Sequence, residues 1–148
     1  MEHVATHRQP DRLLIIDPQQ SFADQLVATG LRAEFAVRSV QYMNETVVAL
    51  QEFQPDVIVL DTAMAAGSSP SGGAALLQLL AEQGTQAQIL IVTHDSRRSR
   101  ELMLLQGRSL NLQMLGHMGK SVEASRLEQI LEQIQESLPN NIMPNMLQ

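Results

Sequence analysis

The chain has 148 residues, 44% hydrophobic and 18% charged, enough for one domain with a single sizeable core. Its net charge of −6 and the absence of any dense basic run argue against nucleic-acid binding, which needs clustered Lys and Arg to meet phosphates. With no cysteine, disulfides and thiolate metal sites are excluded, and the apolar runs are too short to span a bilayer.

The first ten residues, "MEHVATHRQP", have no apolar h-region. They read as a flexible lead-in rather than a secretory signal, and a cytoplasmic protein is expected. "RLLIID" is a buried-strand run ending on Asp17. "SFADQLVATG" then puts Phe22, Ala23, Leu26 and Val27 on one helical face and is expected to stop at Gly30. "EFAVRSV" alternates as a second strand, and "YMNETVVALQEF" returns to helical spacing through Met43, Val47 and Leu50. "FQPDVIVLD" is a third strand that leaves on Asp61.

The loop "AAGSSPSGG", Ala65 to Gly73, leads into the helix "AALLQLLAEQ". "AQILIVTHD" is a fourth strand ending on Thr93, and "SRRSRELMLLQG" a helix expected to stop near Gly107. "LQMLGHMGK" is a weaker fifth strand running up to Lys120, the only lysine in the chain. The last helix, "SVEASRLEQILEQIQESL", carries Leu127, Ile130, Leu131, Ile134 and Leu138 on one stripe. Residues 139–148, "PNNIMPNMLQ", read as a linker or frayed tail.

Five strands alternating with five helices, most strands apolar on both faces, predict one α/β doubly wound domain over residues 11–138. Its parallel sheet is covered by helices on both sides. In such a sheet the C-terminal strand ends share one edge, where ligands bind. Asp17, Asp61, Thr93 and Lys120 are all expected there, whereas Asp56 opens the third strand, about 15 Å from Asp61 along an extended chain. Two carboxylates in adjacent loops can hold a hard divalent cation such as Mg²⁺. An aspartate can attack phosphorus to form an acyl phosphate, and a hydroxyl and a compact ammonium suit the phosphoryl oxygens.

These segments resemble the receiver domain of bacterial two-component response regulators over roughly residues 11 to 138. "QPDVIVLD" is similar to the phosphoacceptor strand, "LLIIDP" to the acidic strand end, "ILIVTHD" to the hydroxyl strand and "GHMGKS" to the lysine segment. "GGAALLQLL" is similar to the start of the third helix. The resemblance implies flavodoxin-like topology 2-1-3-4-5 and a signalling switch rather than a turnover enzyme. It implies phosphotransfer to Asp61 from a histidine kinase or phosphotransfer protein, with Mg²⁺ held by Asp17, Asp61 and the backbone carbonyl of Ala63. It further implies that Thr93 and His117 respond as switch residues. The face of the fourth helix, fifth strand and fifth helix would then change partner, as a homodimer or toward a C-terminal output domain.

The chain departs from the family pattern at five places, one of them a strand five and approach, "GRSLNLQMLGHMGK", that run longer than expected. Pro18 stands where a second acid is usual, so Mg²⁺ affinity is expected to fall. Ser121 follows Lys120 in place of proline and is expected to cap the last helix. His117 replaces an aromatic, and the loop after Asp61 carries about four extra residues, counted against the family's usual turn. These features support an alternative, a phosphorylation-independent pseudo-receiver acting as a dimerisation or interaction module. A flavin or nucleotide site is a third reading, kept only because the fold permits it.

Other motifs have plainer explanations. Gly119-Lys120-Ser121 has Met114 where a phosphate-binding P-loop needs its first glycine. His94 and His117 read as sheet-edge residues rather than metal ligands. Arg97, Arg98 and Arg100 at a helix start read as a solvated face, and Asp95 as a solvated acid.

Overall fold

A computed structural model describes residues 9–63 and 72–138. The lead-in through residue 8, residues 64–71 of the enlarged loop and the tail 139–148 lie outside the described residues. The elements alternate as the apolar runs require. They are β1 (Arg12–Ile16), α1 (Gln20–Arg32), β2 (Ala36–Val40), α2 (Met43–Phe53) and β3 (Val57–Leu60), then α3 (Gly72–Glu82), β4 (Gln88–Thr93), α4 (Arg97–Ser109), β5 (Gln113–Gly119) and α5 (Ala124–Ser137). All pairings are parallel and the strand order is β2-β1-β3-β4-β5, as expected for a doubly wound sheet.

The two-residue period of the strands divides the core into two layers. Leu14, Ile16, Ile58, Leu60, Ile89 and Ile91 pack with Ala49 and Leu50 of α2 and with Leu76, Leu77 and Leu80 of α3. Leu13, Ile15, Val57, Val59, Leu90 and Val92 pack on the opposite side with Ala23 and Leu26 of α1 and with Leu127, Leu131 and Ile134 of α5. The central strands are therefore buried on both faces, which is why they read as unbroken apolar runs.

Gly30 does not stop its helix, since α1 continues to Arg32, whereas α4 ends at Ser109, near Gly107 as expected. Both are points of close approach. A Cβ at Gly30 would lie 2.7 Å from a Leu13 methyl and 3.0 Å from one of Val37, and a Cβ at Gly107 would collide with the Met114 side chain. The absent side chain lets each helix seat against its strand.

Ser121 does not cap the last helix. α5 begins at Ala124 after Glu123, and the Val122 N–H turns back to the Gly119 carbonyl at 3.4 Å. That turn consumes Ser121 and Val122 before helical geometry is reached. The long fifth strand also has a local cause. Ile89 pairs with Met114 but Leu90 with Gly116, so Leu115 is an extra residue in a β-bulge on an edge strand.

Candidate functional site

Parallel strands deliver their last residues to one edge, and Asp17, Asp61 and Lys120 each follow directly on a strand there. Backbone bonds fix the loops. The Asp17 N–H donates to the Val40 carbonyl at 3.1 Å, the Asp61 N–H to the Ile16 carbonyl at 2.9 Å, and the Lys120 N–H to the Thr93 carbonyl at 3.1 Å. Each side chain thus leaves the sheet from a register-locked position.

The three side chains meet. Lys120 Nζ lies 2.6 Å from Asp61 Oδ2, 2.9 Å from Asp17 Oδ2 and 3.0 Å from Asp17 Oδ1. The ammonium side chain is 1% exposed and the two carboxylates 4% or less, so this is a buried triad and not a surface pair. Lys120 also donates to Gln19 Oε1 at 3.1 Å and sits 4.7 Å from the centre of the Phe22 ring. The Lys120–Ser121 bond is trans, as are the other described peptides. The lysine reaches both acids without a following proline.

The carboxylates are held from the other side by the backbone. Asp17 Oδ1 accepts from the Gln19 N–H at 2.8 Å and Asp61 Oδ1 from the Ala63 N–H at 2.8 Å. Burial pushes the Asp17 carboxyl above its ordinary 3.8, while the Lys120 ammonium and the Gln19 N–H pull it down and the Asp61 charge adds to the rise.

Thr93 is fully buried at the end of β4, and its Oγ1 accepts from the Asp95 N–H at 3.3 Å. It is beside the lysine through the backbone, but no hydrogen bond links its hydroxyl to Asp61 among the described residues. His117 lies on β5 opposite Ile91, with Nδ1 accepting from Arg100 Nε at 3.1 Å.

Two residues read as solvated are tied in. Asp95 accepts from the Thr62 hydroxyl at 2.7 Å, and Arg100 donates both to His117 and, through Nη1, to the Asp95 carbonyl at 2.8 Å. Arg100 is half-buried because α4 turns it toward β5, away from the exposed Arg97 and Arg98. Gln19, Phe22, Thr62 and Arg100 are the contributors that sequence reasoning missed. Their only signal was proximity in sequence to a strand end or, for Arg100, a one-turn offset from Arg97.

Could these residues hold Mg²⁺? Among the described residues no group of three or more His, Asp or Glu gathers as a metal cluster. The Asp17 and Asp61 carboxylates, which meet at one ammonium, are oxygen donors of the hard type that Mg²⁺ takes while keeping several waters, so they fit the cation in type. Pro18, beside Asp17, is exposed and supplies no side-chain donor.

No protein-family model matches the chain, and no curated protein matches it. Solved structures do. A response regulator from Colwellia psychrerythraea superposes with a TM-score of 0.73 at 16% identity, over 88% of this chain and 100% of that one. The Francisella response regulator 1452 receiver domain gives 0.68 at 18% identity, over 86% and 98%. The Vibrio cholerae chemotaxis protein CheY4 gives 0.69 at 17% identity, over 85% and 99%. The strand order, the two-layer core and these superpositions together give this chain the fold of response-regulator receiver domains.

Proposed function

We propose that this chain is a signal-transduction receiver in which Asp61 accepts a phosphoryl group from a histidine kinase or phosphotransfer protein. The observation that carries the reading is Lys120, the only lysine, buried with its ammonium on both Asp61 and Asp17 at the C-terminal edge of a receiver-type sheet. An Asp61 carboxylate oxygen attacks phosphorus, the donor's bond to phosphorus breaks with its electron pair, and an acyl phosphate forms. Lys120 then exchanges its contact with the carboxylate for one with the phosphoryl oxygens, a role suited to a compact charge on a flexible stem. Thr93, fully buried beside it, has a hydroxyl proton to donate to the same oxygens.

Asp17, Asp61 and the Ala63 carbonyl would hold Mg²⁺, which neutralises charge on the transferring group. The domain is a phosphoacceptor and not a turnover enzyme. Its output passes through α4, β5 and α5, because Arg100 connects the Asp95 loop to His117 on β5.

A second reading, a pseudo-receiver that acts without phosphate, has its own support. Lys120 already satisfies both carboxylates, and Leu102, Leu105 and Leu115 of α4 and β5 are 41–59% exposed, an apolar face suited to a second copy or a partner. Addition of Mg²⁺ with beryllofluoride separates the two. A phosphorylatable receiver shifts the NMR signals of Asp61, Thr93 and His117, and a pseudo-receiver leaves them unchanged.

A further inference from the structure

Gln19 is the third side chain to reach the Lys120 ammonium, after Asp17 and Asp61, and the helix it opens does not explain why. It is the N-cap of α1, in extended geometry with φ −92° and ψ 101°. Side chains at that position usually fold back onto the first free N–H groups of the helix, but here no such bond forms. The backbone is anchored instead. The Gln19 N–H donates to Asp17 Oδ1 at 2.8 Å, and the Gln19 carbonyl accepts from the Ala23 N–H at 2.9 Å. From this fixed point the carboxamide oxygen Oε1 lies 3.1 Å from Lys120 Nζ. Gln19 is itself exposed, whereas the lysine side chain is 1% exposed.

Four side-chain oxygens therefore meet one nitrogen: two of Asp17, one of Asp61 and one of Gln19, at 2.6 to 3.1 Å. An ammonium has only three N–H donors, so it cannot give each of the four a full hydrogen bond. The set holds more oxygen than its lysine can use. A hard divalent cation takes about six oxygens, carboxamide oxygens included, and has no such limit. The carboxamide also follows directly on Pro18, which brings no side-chain donor of its own.

We propose that Gln19 is the third side chain of the cation site, its carboxamide oxygen serving the divalent ion that Asp17 and Asp61 hold. The proposal rests on the Mg²⁺ reading of those two carboxylates. A neutral oxygen in place of a third carboxylate lowers the charge of the set, and ligand charge count tunes the affinity of such sites. The ion and the Lys120 ammonium draw on the same oxygens, so Mg²⁺ binds weakly and in competition with the lysine.

Mg²⁺ titrated into the full chain at constant ionic strength, followed by ¹H–¹⁵N NMR, tests it without any phosphodonor. The Gln19 side-chain amide is expected to shift together with the backbone signals of Asp17 and Asp61. Gln19→Ala is expected to weaken Mg²⁺ by about tenfold. Gln19→Glu is expected to tighten it by about tenfold, because the new charge attracts a divalent ion more strongly than it holds the ammonium. Gln20→Glu is the control for charge alone, since the Gln20 amide turns to Asp24 Oδ1 at 2.6 Å, and it is expected to change affinity by less than about threefold. Asp61→Asn is expected to weaken Mg²⁺ and reports on the Mg²⁺ reading separately. If it does so while either Gln19 variant binds like the parent, or while Gln20→Glu gains as much as Gln19→Glu, the role of Gln19 alone is overturned. Unchanged affinity in Asp61→Asn, or no saturable shift in the parent up to about 50 mM, overturns the Mg²⁺ reading and the proposal with it.

Discussion

Arg100 Nε donates to His117 Nδ1 at 3.1 Å, joining α4 to β5. Nδ1 accepts through its lone pair, an arrangement that puts the ring N–H on Nε2. Long-range ¹H–¹⁵N spectra are expected to show that tautomer. Arg100→Ala is expected to release the ring into a tautomer mixture and to cost about 0.5–1.5 kcal/mol in urea unfolding, the range for a half-buried hydrogen bond. An unchanged tautomer in the variant contradicts the link.

Among the described residues, Lys120 is the only cation touching two buried carboxylates. Lys120→Met leaves both without a counter-charge, and breaking a buried pair from one side costs about 3–5 kcal/mol. The loss is expected at neutral pH and should shrink in acid, where the carboxylates take up protons instead. Denaturant titrations at both pH values measure it. A variant as stable as the parent at neutral pH would show that the triad is not buried as described.

Asp17 gives a pH dependence with a definite sign. Burial raises its folded value above 3.8, so the folded protein holds that proton more tightly than the unfolded chain. Stability from this group is complete below 3.8 and is lost as pH rises through the elevated folded value. Asp17→Asn removes the loss while keeping an oxygen for Lys120 and the Gln19 N–H. The variant is expected to exceed the parent in stability at neutral pH and to converge with it below pH 3.8. Lower stability at neutral pH would mean that attraction to Lys120 outweighs desolvation.

Gly30 tests helix seating. Alanine gains up to about 1 kcal/mol of helix propensity. Its methyl, however, would press on Leu13, fully buried, and on the stiff β-branched Val37. Overpacking costs about 1–3 kcal/mol, so a net loss of about 1 kcal/mol is expected. Gly107→Ala is expected to lose less, because Met114 is flexible and can move aside. Urea unfolding of both variants checks the order.

Much of this was legible in the chain itself, for physical reasons. Leu13 to Ile16 and Val57 to Leu60 are buried on both faces, so they announce parallel strands, and strand direction then puts Asp17, Asp61 and Lys120 at one edge. The sole lysine at the matching strand end makes the shared site legible from the chain alone. What depends on tertiary packing was not. Gly30 looks like a helix stop until its partner strand is in place. Arg100 looks solvated until the helix rotation aims it at His117. Leu115 gives no sign of being a bulge, since its surroundings read as one continuous strand. Gln19, in an irregular loop after Pro18, has no periodicity to place it against Lys120.

The central claim is that the carboxylate under Lys120 is the one that takes phosphate. Incubation with acetyl phosphate and Mg²⁺, then borohydride reduction, converts a phosphorylated aspartate to homoserine, which peptide mass spectrometry locates. The account predicts homoserine at position 61 in the parent chain and at no position in Asp61→Asn. No conversion at saturating donor, or conversion at Asp17 or Asp95 in its place, would contradict it.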